Sequence, residues 1–401
     1  MVLISGKLMK KLMKIKNVII AFILVYPFFN QVNAQIIQDV YPIGSEEFQY
    51  SFEYYNEGLL RLSEKQLVYS LENFPEAPLA DKSRILEAYI NLADKNYVLA
   101  DATLSSFLIE RSNSPFIAPA AYLRACLSFE NKNYERSCKL FDESLNISNS
   151  EFKERTDSNY LNIANNSLYW KAVSLIIIGK NTEAKQAFEE CYHLYPNGNL
   201  ADDALFALGY LNEINRQYDA AITYYSTISA KYPYSNNLIS ARLREINIRL
   251  ILRDGVTALS SIENTENIIK EIRKNTEQSK IYESQSNFEK VDEELLFLRA
   301  EANNLLGNFS QSLQYFSEFE QKYPNSQFIY LVYLSAGWAN LNLGDYQKAL
   351  DYYDKVIVLK DLKEENVKPL AQFYRTIALK RQGKVDEAKK ELSNLAIQAT
   401  Y

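Results

Sequence analysis

Apolar, small and polar positions recur along this chain at a spacing near 37 residues, and a repeat of that length sets the frame for every smaller element. Nine units can be aligned, starting at Gly44, Asp81, Ala118, Asn165, Asp202, Ile239, Glu293, Tyr330 and Pro369. Each carries two apolar stretches of helical period separated by a polar turn, which predicts a helical hairpin with a first helix A and a second helix B. Position 20 reads Ser63, Ala100, Ser137, Ala184, Ala221, Ala258, Ser312, Ala349 and Ala388. Helix B must approach helix A there, and a larger side chain would cost about 1–3 kcal/mol in overpacking. Position 8 is small in eight units, with Ile246 the exception, and position 24 is always large and apolar or aromatic, from Leu67 to Leu392. Phe74-Pro75, Tyr195-Pro196, Tyr232-Pro233 and Tyr323-Pro324 close four units. Proline cannot continue a helix, so each pair stops helix B.

Two spacings depart from 37. The unit at Ala118 is followed by ten extra residues around Ser150–Ala164, a polar stretch with Glu154-Arg155-Thr156-Asp157. The unit at Ile239 is followed by 17 extra residues within Asn275–Glu293, and its helix B is expected to run on through Lys270–Lys274. Each is either a tolerated surface insertion, the simpler reading, or a break that divides the array into two arms.

The first 34 residues have another character. Lys7, Lys10, Lys11, Lys14 and Lys16 precede an apolar stretch from Val18 to Phe29 and then Val32 and Ala34. This is the order of a secretory signal, with cleavage after Ala34. The stretch is too short to cross a hydrocarbon core of about 30 Å as a helix. No cysteine follows it, so a lipoprotein is not expected. The organisation read from sequence is a signal peptide at 1–34, a short lead at 35–43, units one to six over 44–292 with insertions near 150–164 and 275–292, and units seven to nine over 293–401.

Composition narrows the chemistry. Eleven Gly and ten Pro in 401 residues argue for helices rather than many short strands. Without the five lysines of the signal, 39 basic residues face 50 acidic ones, a net charge of −11. Such a surface repels phosphate backbones, so nucleic acid is not an expected partner. No apolar run after residue 34 has membrane-spanning length. One His and three Cys leave little for a metal site, and no metal ligand set or cofactor is expected. His193, beside Tyr195-Pro196 at the end of a helix B, would have to serve any histidine-dependent catalysis and reads as a capping or surface residue. Paired acids such as Asp202-Asp203 and Glu293-Glu294 do not face each other on a helix and read as solvated surface. There is no GxGxxG, Walker loop or HExxH, so no catalytic residue is assigned. Cys126 and Cys138 lie in one hairpin and would bridge only with Cα atoms within about 7 Å. Cys191 reads as a buried free thiol.

The segments Gly209–Pro233, with Tyr218, Ala221 and Tyr225, and Gly337–Tyr353, with Gly344, Tyr346 and Ala349, resemble the tetratricopeptide repeat. The resemblance covers nearly all of residues 44–401 and implies an all-α, right-handed superhelical solenoid of about nine hairpins. With the signal and the Tyr-Pro endings, it points to periplasmic repeat proteins of the Tol–Pal or outer-membrane-assembly type. A lipid-bearing Cys and an N-terminal coiled coil, marks of those two groups, are absent. In the family, positions 2, 5, 9, 12 and 13 of helix A line a concave groove. Here these positions bring Phe48, Tyr89, Tyr122, Tyr169, Phe206, Tyr210, Phe297 and Trp338 into question. Either this stripe is core between repeats, or it is an aromatic groove for protein or peptide segments. The Lys/Asn clamp for a C-terminal carboxylate is matched only by Asn247, with Leu243 at position 5. The resulting expectation is a non-enzymatic periplasmic scaffold of the cell envelope. The alternative is an envelope factor of polysaccharide export or binding whose aromatics stack on sugars.

Overall fold

The computed structural model describes residues 45–75, 79–275, 288–359 and 366–398. The signal and lead at 1–43 lie outside the described residues, as does most of the second insertion. Among the described residues there are eighteen helices and no strand. They are α1 (Ser45–Asn56), α2 (Leu60–Asn73), α3 (Leu79–Ala93), α4 (Tyr97–Glu110), α5 (Ile117–Glu130), α6 (Tyr134–Arg155), α7 (Ser158–Ile177), α8 (Asn181–Leu194) and α9 (Ala201–Ile214). There follow α10 (Tyr218–Lys231), α11 (Leu238–Ile251), α12 (Gly255–Lys274), α13 (Phe288–Leu305), α14 (Phe309–Lys322), α15 (Ile329–Leu343), α16 (Tyr346–Val358), α17 (Val367–Arg381) and α18 (Val385–Gln398). Taken in pairs they form nine hairpins, an all-α solenoid architecture. The chain divides into two compact units at Tyr224/Tyr225, within α10, and each is described by itself.

The small residues at position 20 are all buried, none more than 7% exposed. Beside them the large position-24 side chains fill the space between helices, buried in eight hairpins, whereas Leu392 in α18 is 49% exposed. The turn from helix A to helix B has one geometry. Position 15 takes a positive φ in all nine hairpins, as Gly58, Lys95, Lys132, Gly179, Arg216, Arg253, Gly307, Gly344 and Gly383. The next amide donates to the carbonyl five residues back, as Asn96 does to Asn91 at 2.7 Å and Asp345 to Asn340 at 3.0 Å, which satisfies the end of helix A. Position 16 then caps helix B. The side chains of Asn96, Asn133, Asp254 and Asp345 accept from the amides of Leu99, Arg136, Thr257 and Lys348.

Between hairpins, Phe74, Tyr195 and Tyr323 leave the helical region at φ near −130°, where a following proline directs its neighbour. Ser114, Ser235 and Ser326 then accept from the amide two residues on, at 3.2, 3.0 and 2.9 Å.

In the unit up to Tyr224, the ten-residue insertion is not a surface loop. It lengthens α6 to 22 residues and α7 to 20, joined by Thr156 in left-handed conformation and capped by Asp157, which accepts from Asn159 at 2.9 Å. The added turns are tied down. Arg155 donates to the carbonyl of Asn113 at 2.8 Å and pairs with Glu151, Tyr160 donates to the carbonyl of Pro115, and Tyr195 donates to Asn149. Asn165 is fully buried where α7 meets α8 and the turn beyond. Its amide donates toward Cys191 Sγ at 3.1 Å, and its carbonyl oxygen accepts from Leu200 at 3.1 Å. All three cysteines are free and buried.

In the unit from Tyr225, α12 does run on to Lys274. Ile269 and Ile272 join Phe288, Val291 and Leu295 of α13 in one core that continues to α17 and α18. Helix packing is therefore continuous from α12 to α13. Arg273 lies over the Phe288 ring at 4.9 Å and pairs with Asp292 at 2.6 Å.

Candidate functional site

Helix A of each hairpin carries the residues singled out from sequence, and the structure turns most of them inward. Phe48, Tyr89, Tyr122, Tyr169, Phe206, Tyr210 and Phe297 are buried. The reason is a contact between helix A and the helix B that follows it. Tyr122 lies 5.9 Å from Phe141, Tyr169 lies 5.4 Å from Phe188, and Phe297 lies 6.3 Å from Phe319 while stacking on Phe328 at 5.7 Å. Burial pushes the Tyr89, Tyr122 and Tyr169 hydroxyls above the ordinary tyrosine range. Of the eight, only Trp338 is half-buried, its ring edge-on to Tyr374 at 5.5 Å. Position 5 is thus interior in eight hairpins, and Phe373 in α17 is the exposed ninth, at 45%.

The accessible part of the helix A face comes from other positions. In the first unit it includes the half-buried Phe52, Tyr55, Leu92 and Ile176. In the second it includes Asn247, Glu294, Trp338 and Ile377. The second unit also holds a polar series that periodicity did not reveal. Asn247 of α11 donates to Glu294 of α13 at 3.1 Å. Asn304 of α13 donates to the carbonyl of Ser335 in α15 at 3.2 Å. Glu301, between Glu294 and Asn304, is 9% exposed and enters no ion pair among the described residues. Burial pushes its carboxyl up to about 7, opposed only by a hydrogen bond from Ser335. Burial also raises Glu294, against the Asn247 bond and the Arg244 charge.

Two other features lack the marks of a site. A cavity of about 300 Å³ between α12, α13 and α14 is lined by Lys270 and by three ion pairs, Arg299–Glu266 at 2.5 Å, Lys322–Glu318 at 2.6 Å and Arg273–Asp292 at 2.6 Å. His193 is exposed against Tyr192, 5.2 Å away. Among the described residues no group of His, Cys, Asp and Glu could hold a metal, and no helix is long and apolar enough to cross a membrane.

Comparison with known proteins agrees with this repeat geometry. Residues 44–232, just under half the chain, match the YfiO family, described as outer membrane lipoprotein. Residues 294–326 and 330–360 match two tetratricopeptide repeat families, covering α13–α14 and α15–α16. The three matches begin within one residue of unit starts at Gly44, Glu293 and Tyr330. No curated protein matches the chain. Similar solved structures include a tetratricopeptide repeat protein from Parabacteroides merdae ATCC 43184, 15% identical over 74% of this chain and 98% of that one, with a TM-score of 0.37. The apo form of RapI is 13% identical over 70% and 76%, with a TM-score of 0.44. The C-terminal part of a TPR repeat-containing protein from Cytophaga hutchinsonii is 14% identical over 71% and 97%, with a TM-score of 0.47. The chain thus carries tetratricopeptide repeats at residues 294–326 and 330–360, and over residues 44–232 it is similar to the outer membrane lipoprotein family.

Proposed function

We propose that this chain is a non-enzymatic scaffold of the cell envelope, exported by its first 34 residues, which holds protein or peptide segments along its helix A face. One observation carries the reading. The part of the chain built as hairpins up to α10 matches a family of outer membrane lipoproteins, and the described residues of the remainder continue as the same helical hairpins. Half-buried aromatic and aliphatic side chains on helix A, such as Phe52, Tyr55 and Trp338, offer apolar anchors between polar neighbours, the composition of a peptide-binding groove. Retention in the envelope is proposed to come from partners. The three cysteines lie inside the helical array and are not placed to carry a lipid at the proposed mature terminus.

Fractionation of the native cell tests the setting. The protein should leave the cytoplasm, lose its first 34 residues and co-purify with a discrete envelope protein. Recovery in the cytoplasm with an intact leader would remove the envelope reading. Selective retention on envelope polysaccharide, with no protein partner, would favour the glycan alternative.

A further inference from the structure

The inner face of α13 presents an arrangement that a groove for neutral peptide does not require. Glu294 and Glu301 are seven residues apart, so they share one face about 10 Å apart along the axis. Asn304 follows Glu301 by three and stands one turn on. Glu301 is nine-tenths buried, and its Oε1 has no hydrogen-bond partner among the described residues. Asn304 is 2% exposed, and its Oδ1 is likewise unpartnered, because its amide nitrogen is spent on the Ser335 carbonyl. Both vacant atoms are acceptors. Ser335 is the one side chain that donates to the Glu301 carboxyl, and a buried carboxyl with an unpartnered oxygen and no counter-charge is costly unless something supplies them.

We infer that Glu301 and Asn304, where α13 meets α15, form a seat that opens to take a basic side chain, lysine or arginine, of the partner segment. This rests on the proposed helix A binding face and specifies the chemistry of what binds there. A basic tip brings several N–H donors and a positive charge, which match two vacant acceptors and a carboxylate. Glu294 lies two turns away on the same face and adds negative potential along the approach. Trp338 stands one turn from Ser335 on α15 and is half-buried, so its indole reports on the seat. A buried water would satisfy the same acceptors without any charge preference.

The test uses the full chain carrying Trp170→Phe, which leaves Trp338 as the single indole. The probes are n-butylammonium and n-butylguanidinium, with n-butylurea as the neutral control. A saturable change in Trp338 fluorescence is expected with the two cations and not with the urea. Glu301→Gln, of the same shape, should weaken the cations at least tenfold while leaving the helical circular dichroism unchanged. An equal response to butylurea, or no effect of Glu301→Gln, would overturn the seat. Photo-crosslinks from Trp338 to a protein partner in native envelopes separate the two readings. Adducts without cation selectivity would keep the scaffold and discard the seat. Glu301-dependent cation binding without adducts would do the reverse.

Discussion

Ser63 in α2 and Ser51 in α1 bind each other's backbone: Ser63 Oγ donates to the Ser51 carbonyl at 2.7 Å, and Ser51 Oγ donates to the Ser63 carbonyl at 2.8 Å. The same step of twelve residues recurs where Ser137 donates to Ala125 at 3.4 Å and Ser312 to Ala300 at 2.9 Å. Position 20 is therefore small for close approach and, when serine, fastens helix B to the carbonyl of position 8. Ser312→Ala should cost about 1 kcal/mol, the worth of one net hydrogen bond. Ser312→Leu should cost more, by about 1–3 kcal/mol of overpacking. Urea titration of the three proteins checks the order, and a leucine variant as stable as wild type would contradict it.

The left-handed turn predicts opposite effects at equivalent positions. Lys132 holds φ 59° with an exposed side chain, whereas Gly344 holds φ 83°. A side chain in this region costs roughly 1–2 kcal/mol, of which glycine's greater unfolded freedom takes back about half to one. Lys132→Gly should raise the melting temperature, and Gly344→Ala should lower it.

Gly337 admits the Tyr353 ring. A Cβ at residue 337 would lie 2.6 Å from Tyr353 Cε1, and Tyr374 is stacked on that ring at 6.0 Å, which restricts its retreat. Gly337→Ala should destabilise by about 1–3 kcal/mol. Adding Tyr353→Leu should make the second change cheaper than it is alone, with a coupling of about 0.5–3 kcal/mol in a double-mutant cycle. Additive losses would show that the ring moves aside freely.

Glu301 should make stability fall as pH rises. Its folded value near 7 stands above the ordinary 4.5, so between those values the unfolded chain gives up the proton and the folded chain keeps it. Unfolding is thus favoured progressively from pH 4.5 to 7, by up to about 3 kcal/mol in all. Glu301→Gln should match wild type at pH 4 and melt higher at pH 8. Identical melting curves at pH 8 would place the carboxyl in a wetter setting.

Much of the architecture was legible because close helix approach leaves strict marks, and Ser63, Ala221 and Tyr353 announce a hairpin wherever they fall. The position-15 turn was hidden because Lys95, Lys132, Arg216 and Arg253 share it with five glycines, and a charged residue does not advertise a positive φ. The stretch Glu154–Asp157 reads as a polar loop, yet it is the tip of two helices held by Arg155 and Tyr160. At the face proposed for binding, periodicity identified Tyr122 and Phe297 as one stripe but did not tell that Phe141 and Phe319 of helix B would cover them. Nothing in the pattern singles out Glu301, since its burial comes from neighbouring repeats distant in sequence.

The scaffold reading meets its most direct test in site-specific photo-crosslinking within native envelopes. Probes replace Phe52 and Trp338 on the helix A face, and a third replaces exposed Lys139 on α6 as control. Discrete protein adducts from the two face positions, absent at Lys139, are the expected result, and mass spectrometry would identify the partner. A folded, exported protein that yields no adduct from the face, or the same adducts from Lys139, would contradict the account.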